Sequence, residues 1–235
     1  FTDGSSDIVD YLVISDGVFS NTKSLLEKNY KATYYGAIAV RTQITNEDIL
    51  NLDKNNISLI MGSNAHVVLY PINKKKEINL VSVIRKKVKD DVSIEKLLEN
   101  SILKENKNLV ELFKGNLKSW PIYISSMPIK SIYKNVLYIG DAFYTFPPTL
   151  AQGASQSIEA ANEVFDLLSA NHSDIQKEYF KKRIERTNLI NKRSKFNYFG
   201  FHVKNSLLKS LRNYFLKRLV KNKNFIQNYL GKIYK

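Results

Sequence analysis

Val136-Leu137-Tyr138-Ile139-Gly140-Asp141-Ala142-Phe143-Tyr144-Thr145-Phe146-Pro147-Pro148-Thr149-Leu150-Ala151-Gln152-Gly153-Ala154 is the most informative run in this 235-residue chain. Its first four residues are apolar and β-favouring, so they predict a buried strand. Gly140-Asp141 ends that strand and leaves a carboxylate at its carboxyl end, where ligands of α/β sheets bind. A carboxylate placed there suits hydrogen bonding to sugar-type hydroxyls. Pro147 and Pro148 stiffen the loop that follows. Ala151-Gln152-Gly153 then opens a helix, whose first N–H groups and partial positive charge face an electron-rich ligand. Gly153 lets backbone approach closely.

The pattern continues outward on both sides. Val9–Ile14 reads as a buried strand closed by Ser15-Asp16-Gly17, and Ser20 as the N-cap of a short helix to Asn29 with Leu25 and Leu26 inward. Tyr34–Thr42 and Ile57–Met61 are strand candidates, with Gly62-Ser63-Asn64 as a turn. His66–Ile72 and Glu77–Ile84 read as a hairpin whose tip is Asn73-Lys74-Lys75-Lys76. Ser93–Asn106 and Asn108–Lys114 look helical. Trp120–Ile132 returns to strand, broken by Pro121 and Pro128. Ala151–Ser169 places Ile158, Ala161, Phe165 and Leu168 on one helical stripe. From Ser173 onward the chain reads as helix almost throughout. The fold class expected is α+β: a partial α/β domain (1–30 and 126–170), an antiparallel-sheet domain (31–125) and basic C-terminal helices (171–235).

Composition excludes several chemistries. There is no Cys, which removes disulfides, Cys-ligated zinc, iron–sulfur clusters and a Cys nucleophile. Three His without ligand spacing give no multi-His metal site, and no metal is expected. His66 is expected to be packed or hydrogen-bonded on its strand. No apolar run reaches the ~18 residues of a membrane span. No secretory signal is visible, so the expected location is cytoplasmic.

The run at 136–154 closely resembles the glycine–aspartate segment of the flavoprotein monooxygenases of the aromatic-ring hydroxylase type, and its Leu-Ala-Gln-Gly-Ala stretch looks most like the salicylate-hydroxylase branch. The resemblance extends further. Asp10–Ser20 is similar to the family's Asp-Gly motif, and His66–Ile72 to its central sheet strand. Tyr179, Arg183, Arg186 and Ser194 fall where the family has a helix carrying Tyr, Arg and Ser.

The resemblance implies FAD as cofactor and NAD(P)H as reductant. Gly140 and Asp141 would meet the ribityl chain, with Asp141 on its hydroxyls. Pro147 and Pro148 would lie beside the isoalloxazine. Ala151 would open the helix, and Gln152, Gly153 and Ala154 would offer N–H groups to the pyrimidine edge. Asp16 and Gly17 would sit near the pyrophosphate and the nicotinamide's approach. The strands between Tyr34 and Ile84 would roof the substrate pocket. The implied reaction is hydroxylation of an aromatic or quinone-precursor ring with O2 through a flavin hydroperoxide, the protein orienting groups and excluding water. No single catalytic acid or base is assigned. The alternatives are a related halogenase or prenyl-chain reductase, or a non-enzymatic basic protein that docks on membranes.

Four positions depart from the family pattern: Tyr144 where His is usual, Ser155 where Asn is common, Ala160 where Asp is common, and Lys23 where Arg is usual, which loses a bidentate contact. The largest departure is an absence. The nine glycines stand at 4, 17, 36, 62, 115, 140, 153, 200 and 231. No two of them make the Gly-x-Gly of a dinucleotide-binding turn. With Phe1 opening the chain, the expectation is a piece of a longer protein that binds FAD poorly alone.

Charge is uneven. Residues 1–170 hold 19 basic and 19 acidic side chains, whereas 171–235 hold 17 basic and 3 acidic, so the net +14 belongs to the last section. Leu208, Leu211, Phe215 and Leu219 make a helical stripe there, with most lysines and arginines off it. Three readings stand for residues 196–235: helices packed on the body, peripheral contact with a membrane's inner face, or nucleic-acid binding, which no groove-reading motif supports. Phe196, Phe199, Phe201 and Tyr214 are read as core.

Overall fold

The computed structural model of the chain describes residues 1–27, 30–45, 55–87, 92–99, 107–125, 127–170 and 172–233. The architecture is α+β, and contacts divide it into two compact units: 1–33 with 123–195, and 34–122 with 196–235.

The first unit is built on a two-stranded parallel sheet, β1 (Leu12–Ile14) with β7 (Val136–Tyr138), in the register Leu12↔Val136. Between them in sequence, α1 (Asn21–Leu26) follows the Asp-Gly turn, with Ser20 as its N-cap accepting the Lys23 N–H. After β7 come a single helical turn α4 (Gly140–Phe143), helix α5 (Gly153–Ser169), and the first part of α6 (Ile175–Phe201). The strand expected over 9–14 is shorter and less covered than its apolar composition suggests: it spans Leu12–Ile14, and only Ile14 is buried.

The second unit is a five-stranded sheet in the order β3-β4-β5-β2-β6. Its strands are β2 (Thr33–Thr45), β3 (Ser58–Met61), β4 (Ala65–Ile72), β5 (Glu77–Arg85) and β6 (Lys118–Ile124). The expected hairpin is β4–β5, antiparallel with Ile72 opposite Glu77, and its lysine tip is a single tight turn. Alternation sorts β2 cleanly. Ile38 and Val40 face a core with Val67, Leu80, and Leu97, Leu98 and Leu109 of helices α2 (Ile94–Glu99) and α3 (Lys107–Glu111), while Ala37 and Ala39 face Val83, Ile122 and Tyr198. Helices α7 (Ser206–Leu219) and α8 (Lys223–Ile226) complete the unit.

Some expectations are corrected. Pro121 sits inside β6, which ends at Ile124; no strand forms over 127–132. In α1 the buried residue is Lys23, while Leu25 is exposed. In α5 the inward face is Gln156, Ala160, Val164 and Leu167; Ile158 and Phe165 point to solvent. Phe196, Phe199 and Tyr214 are also exposed rather than core. The helix expected over 93–106 is seen as Ile94–Glu99; its remainder, like residues 28–29 of the first helix, lies outside the described residues.

Two of the three histidines meet in the second unit. His66 Nδ1 and His202 Nε2 are 3.0 Å apart and both rings are buried, so the two share one proton between them. Burial, with the neighbouring ring adding to it, pushes His66 down to about 3, and burial brings His202 to about 4. The pair is a neutral structural link between β4 and the end of α6. Among the described residues no group of three or more potential ligands could hold a metal ion.

Candidate functional site

Parallel pairing puts the carboxyl ends of β1 and β7 side by side, and the Ile139 N–H donates to the Ile14 carbonyl at 2.9 Å. The two short motifs, Asp16-Gly17 and Gly140-Asp141, therefore emerge at one edge of the sheet. Both glycines need the left-handed region, Gly17 at φ +87° and Gly140 at φ +57°. At Gly140 the space is closed as well: an added Cβ would stand 2.6 Å from Ser157 Oγ. The Gly-Asp turn is thus packed directly on the second turn of α5.

Asp16 accepts from the Thr22 N–H at 3.2 Å. Burial opposes its charge, but hydrogen bonds from Ser20 and Thr22 outweigh this and hold it below the usual carboxylate range. Asp141 reaches the surface at the mouth of the turn. The protein packed behind it raises its carboxyl, and Lys23 partly offsets that.

Lys23, which sequence reasoning marked only as a lost contact, is the charge between these two acids. It is fully buried, and its Nζ donates to the Ala142 carbonyl at 2.5 Å and lies 3.3 Å from the Tyr30 ring centroid. Burial brings its ammonium down to about 8, against the pull of Asp16 and Asp141. Tyr30 was also missed. Its hydroxyl donates to the Val18 carbonyl and lies 3.4 Å from Ser125 Oγ. No periodicity could have signalled either residue, since the signal is three-dimensional.

The helix-opening residues follow. The loop carries Pro147 buried and Pro148 exposed, and the Ala151 N–H turns back to the Pro148 carbonyl at 3.3 Å. Ala151 takes φ +51°, which swings the chain into α5. Gly153 and Ala154 lie exposed in the first turn, and a Cβ at Gly153 would meet nothing within 4 Å. No acidic residue occupies that turn, so its N–H groups and positive helix end are not neutralised locally. Gln152 is buried, and its Nε2 has no partner among the described residues.

Helix α6 clamps the segment from behind. The Tyr179 hydroxyl donates to the Tyr138 carbonyl at 2.8 Å, and Thr149 Oγ1 donates to the Ser194 carbonyl at 2.7 Å. Arg183, 1% exposed, reaches Glu159 Oε1 at 3.0 Å, Glu163 Oε1 at 3.4 Å and Gln156 Oε1 at 2.8 Å. Arg186 joins Glu159 at 2.7 Å. The Tyr, Arg and Ser of this helix are thus the brace of the α5 start rather than part of its open edge.

An exposed carboxylate, an unneutralised helix start, an open glycine and an unpartnered buried amide fit the chemistry of a flavin nucleotide, which offers hydroxyls and ring carbonyls. Comparison with solved structures agrees on the fold. Klebsiella pneumoniae HpxO complexed with FAD and uric acid matches at 16% identity over 99% of this chain and 62% of that one, TM-score 0.77. A salicylate hydroxylase substrate complex matches at 20% identity, over 97% and 64% of the two chains, TM-score 0.77. The p-nitrophenol 4-monooxygenase PnpA of Pseudomonas putida DLL-E4 matches at 12%, over 95% and 59%, TM-score 0.74. The fold is that of the FAD-binding monooxygenases, and this chain spans under two thirds of the length of these relatives. The family model for squalene epoxidase matches residues 10–232, and the chain belongs to that family of FAD-dependent monooxygenases. No curated protein matches it.

Proposed function

We propose that this chain supplies one wall of the flavin site of an FAD-dependent monooxygenase that draws electrons from NAD(P)H and puts one oxygen atom of O2 onto an electron-rich unsaturated carbon. The supporting observation is the convergence of the Asp-Gly and Gly-Asp turns beside the open start of α5. Asp141 would accept from the ribityl hydroxyls. Gln152, Gly153 and Ala154 would donate to the pyrimidine edge, where a helix start favours negative charge. Pro147 and Pro148 would lie along the ring, and Asp16 and Gly17 beside the pyrophosphate and the reductant's approach. When bound, FAD supplies the redox chemistry; the protein's part is to orient it and exclude water.

Two substrate classes compete. An aromatic or quinone-precursor ring is favoured by the hydroxylase fold relatives, and an apolar polyene by the family description. The test uses the full-length protein. It should purify yellow, and NAD(P)H oxidation should rise when the correct class is added. A colourless full-length protein that cannot be reconstituted with FAD defeats the reading.

A second feature supports work at an anionic lipid surface. No described helix is long and apolar enough to cross a membrane. In α7, however, Leu207, Leu208, Leu211, Tyr214 and Phe215 are each at least 45% exposed and share one side of the helix, while Lys209, Arg212 and Leu219 are the half-buried residues, so of the expected stripe only Leu219 turns toward the body. Arg212 donates to the Gly200 carbonyl at 2.9 Å. The apolar stripe therefore faces outward, not onto the body. After Glu185 there are 13 basic residues and no acidic one. Pairing two copies through such a surface would oppose like charges, whereas acidic lipid complements it. The protein should float with phosphatidylserine-containing vesicles and far less with neutral ones. Joint Leu211→Asp and Phe215→Asp replacement should cut binding by at least about tenfold. Equal behaviour of the variant, or a dimer that the variant dissolves, argues against lipid.

A further inference from the structure

Lys23 is the feature that the flavin reading does not use. Here the side chain is wholly buried and turned inward, from α1 onto the backbone of α4. Its ammonium sits over the Tyr30 ring, 3.3 Å from the centroid, and feels the negative charges of Asp16, which follows β1, and Asp141, which follows β7. Among the described residues, these two acids and the Tyr30 phenol are the titratable groups that act on it.

The Ala142 carbonyl belongs to the single helical turn that starts at Gly140 and carries Asp141. Its backbone is held on the other side by the Tyr144 N–H to the Gly140 carbonyl, 3.1 Å. A cation on this turn draws its carbonyl inward and leaves the Asp141 carboxylate directed outward, with a compensating charge behind it.

We propose that Lys23 is a positioning residue: protonated and clamped on the Ala142 carbonyl, it holds the Gly140–Phe143 turn in the form that presents Asp141 to the cofactor, coupling the Asp-Gly motif to the Gly-Asp motif. This role rests on the flavin reading above. It makes cofactor affinity depend on one buried proton. That proton leaves near pH 8 in the folded chain, well before it would leave in the unfolded one. Between about pH 8 and 10.5 the unfolded chain then holds more protons, so this group makes the flavin-free fold more stable as pH rises. Cofactor binding moves in the opposite direction, because the clamp weakens. Opposed slopes are a signature that a simple packing role cannot produce.

The experiment measures FAD binding to full-length apoprotein by quenching of flavin fluorescence between pH 6.5 and about 9.5, with thermal melts of the flavin-free protein alongside. Wild type should bind FAD about tenfold more weakly at the top of the range, while its melting temperature rises across it. Lys23→Met should bind at least about tenfold more weakly throughout, with neither slope. Lys23→Arg, charged at every pH, should recover part of the affinity and show no pH slope. If Lys23→Met fails to fold, the wild-type and Lys23→Arg profiles still decide. Wild-type binding that is flat with pH, or a Lys23→Met protein that binds like wild type, overturns the role while leaving the flavin site standing. A wild type that binds no FAD at any pH removes both.

Discussion

Arg183→Leu should lower the stability of the protein by about 3–5 kcal/mol, since removing the buried member of an ion pair takes the partner from Glu163 and leaves Glu159 to Arg186 alone. Glu163 would suffer most. Burial already raises its carboxyl, and Arg183 is the strongest group holding it down. The Gln156 side-chain and main-chain oxygens would lose the same guanidinium. Thermal unfolding followed by circular dichroism should show a fall on the order of 10 °C for a chain of this size. Arg183→Lys keeps the charge without the fork and should recover only part of the loss. A loss below about 1 kcal/mol, the level of an exposed pair, would mean that the brace between α5 and α6 contributes little.

Asp141→Ala should weaken FAD binding to the full-length protein by roughly thirtyfold, since a hydrogen bond to a charged group contributes about 2 kcal/mol. The carboxylate lies at the surface of its turn, and when it is removed the buried Lys23 keeps its hydrogen bond to the Ala142 carbonyl and the charge of Asp16. Unfolding should therefore move by no more than about 1 kcal/mol, the level of a partly exposed charge pair. Titration with FAD, read by fluorescence, separates the two effects. A variant that binds FAD as tightly as wild type would take Asp141 out of the cofactor's reach.

How much of this was legible beforehand depended on how local the signal was. The β4–β5 hairpin, the Ser20 cap and the strand–Gly-Asp–Pro-Pro–helix run are written in adjacent residues and are legible there, although the run also coils into a helical turn over Gly140–Phe143 and opens its helix at Gly153 rather than Ala151. The face of α5 was not. Counting apolar side chains selects the stripe through Ile158 and Phe165, yet the helix turns Gln156, Ala160, Val164 and Leu167 inward. Arg183, 27 positions later in sequence, draws Gln156 inward and binds Glu159 and Glu163 alongside. Polar partners distant in sequence overrode hydrophobic patterning. Lys23 was hidden for the same reason: a lysine reads as surface until a carbonyl, a ring and two carboxylates are known to surround it. The His66–His202 pair joins residues 136 positions apart.

The parallel β1–β7 pair has a consequence for the order in which the chain acquires structure. Leu12 meets Val136 across 124 intervening steps of sequence, whereas β4 and β5 close on each other through a four-residue turn. Loop-closure entropy penalises the first and spares the second. On a ribosome the sheet of the second unit can begin to zip as soon as Arg85 has emerged. Strand β1, made long before β7, waits for it with Ile14 uncovered. The stretch that carries the Asp-Gly turn therefore stays open to chaperones and to misassociation for longer than the β4–β5 hairpin does.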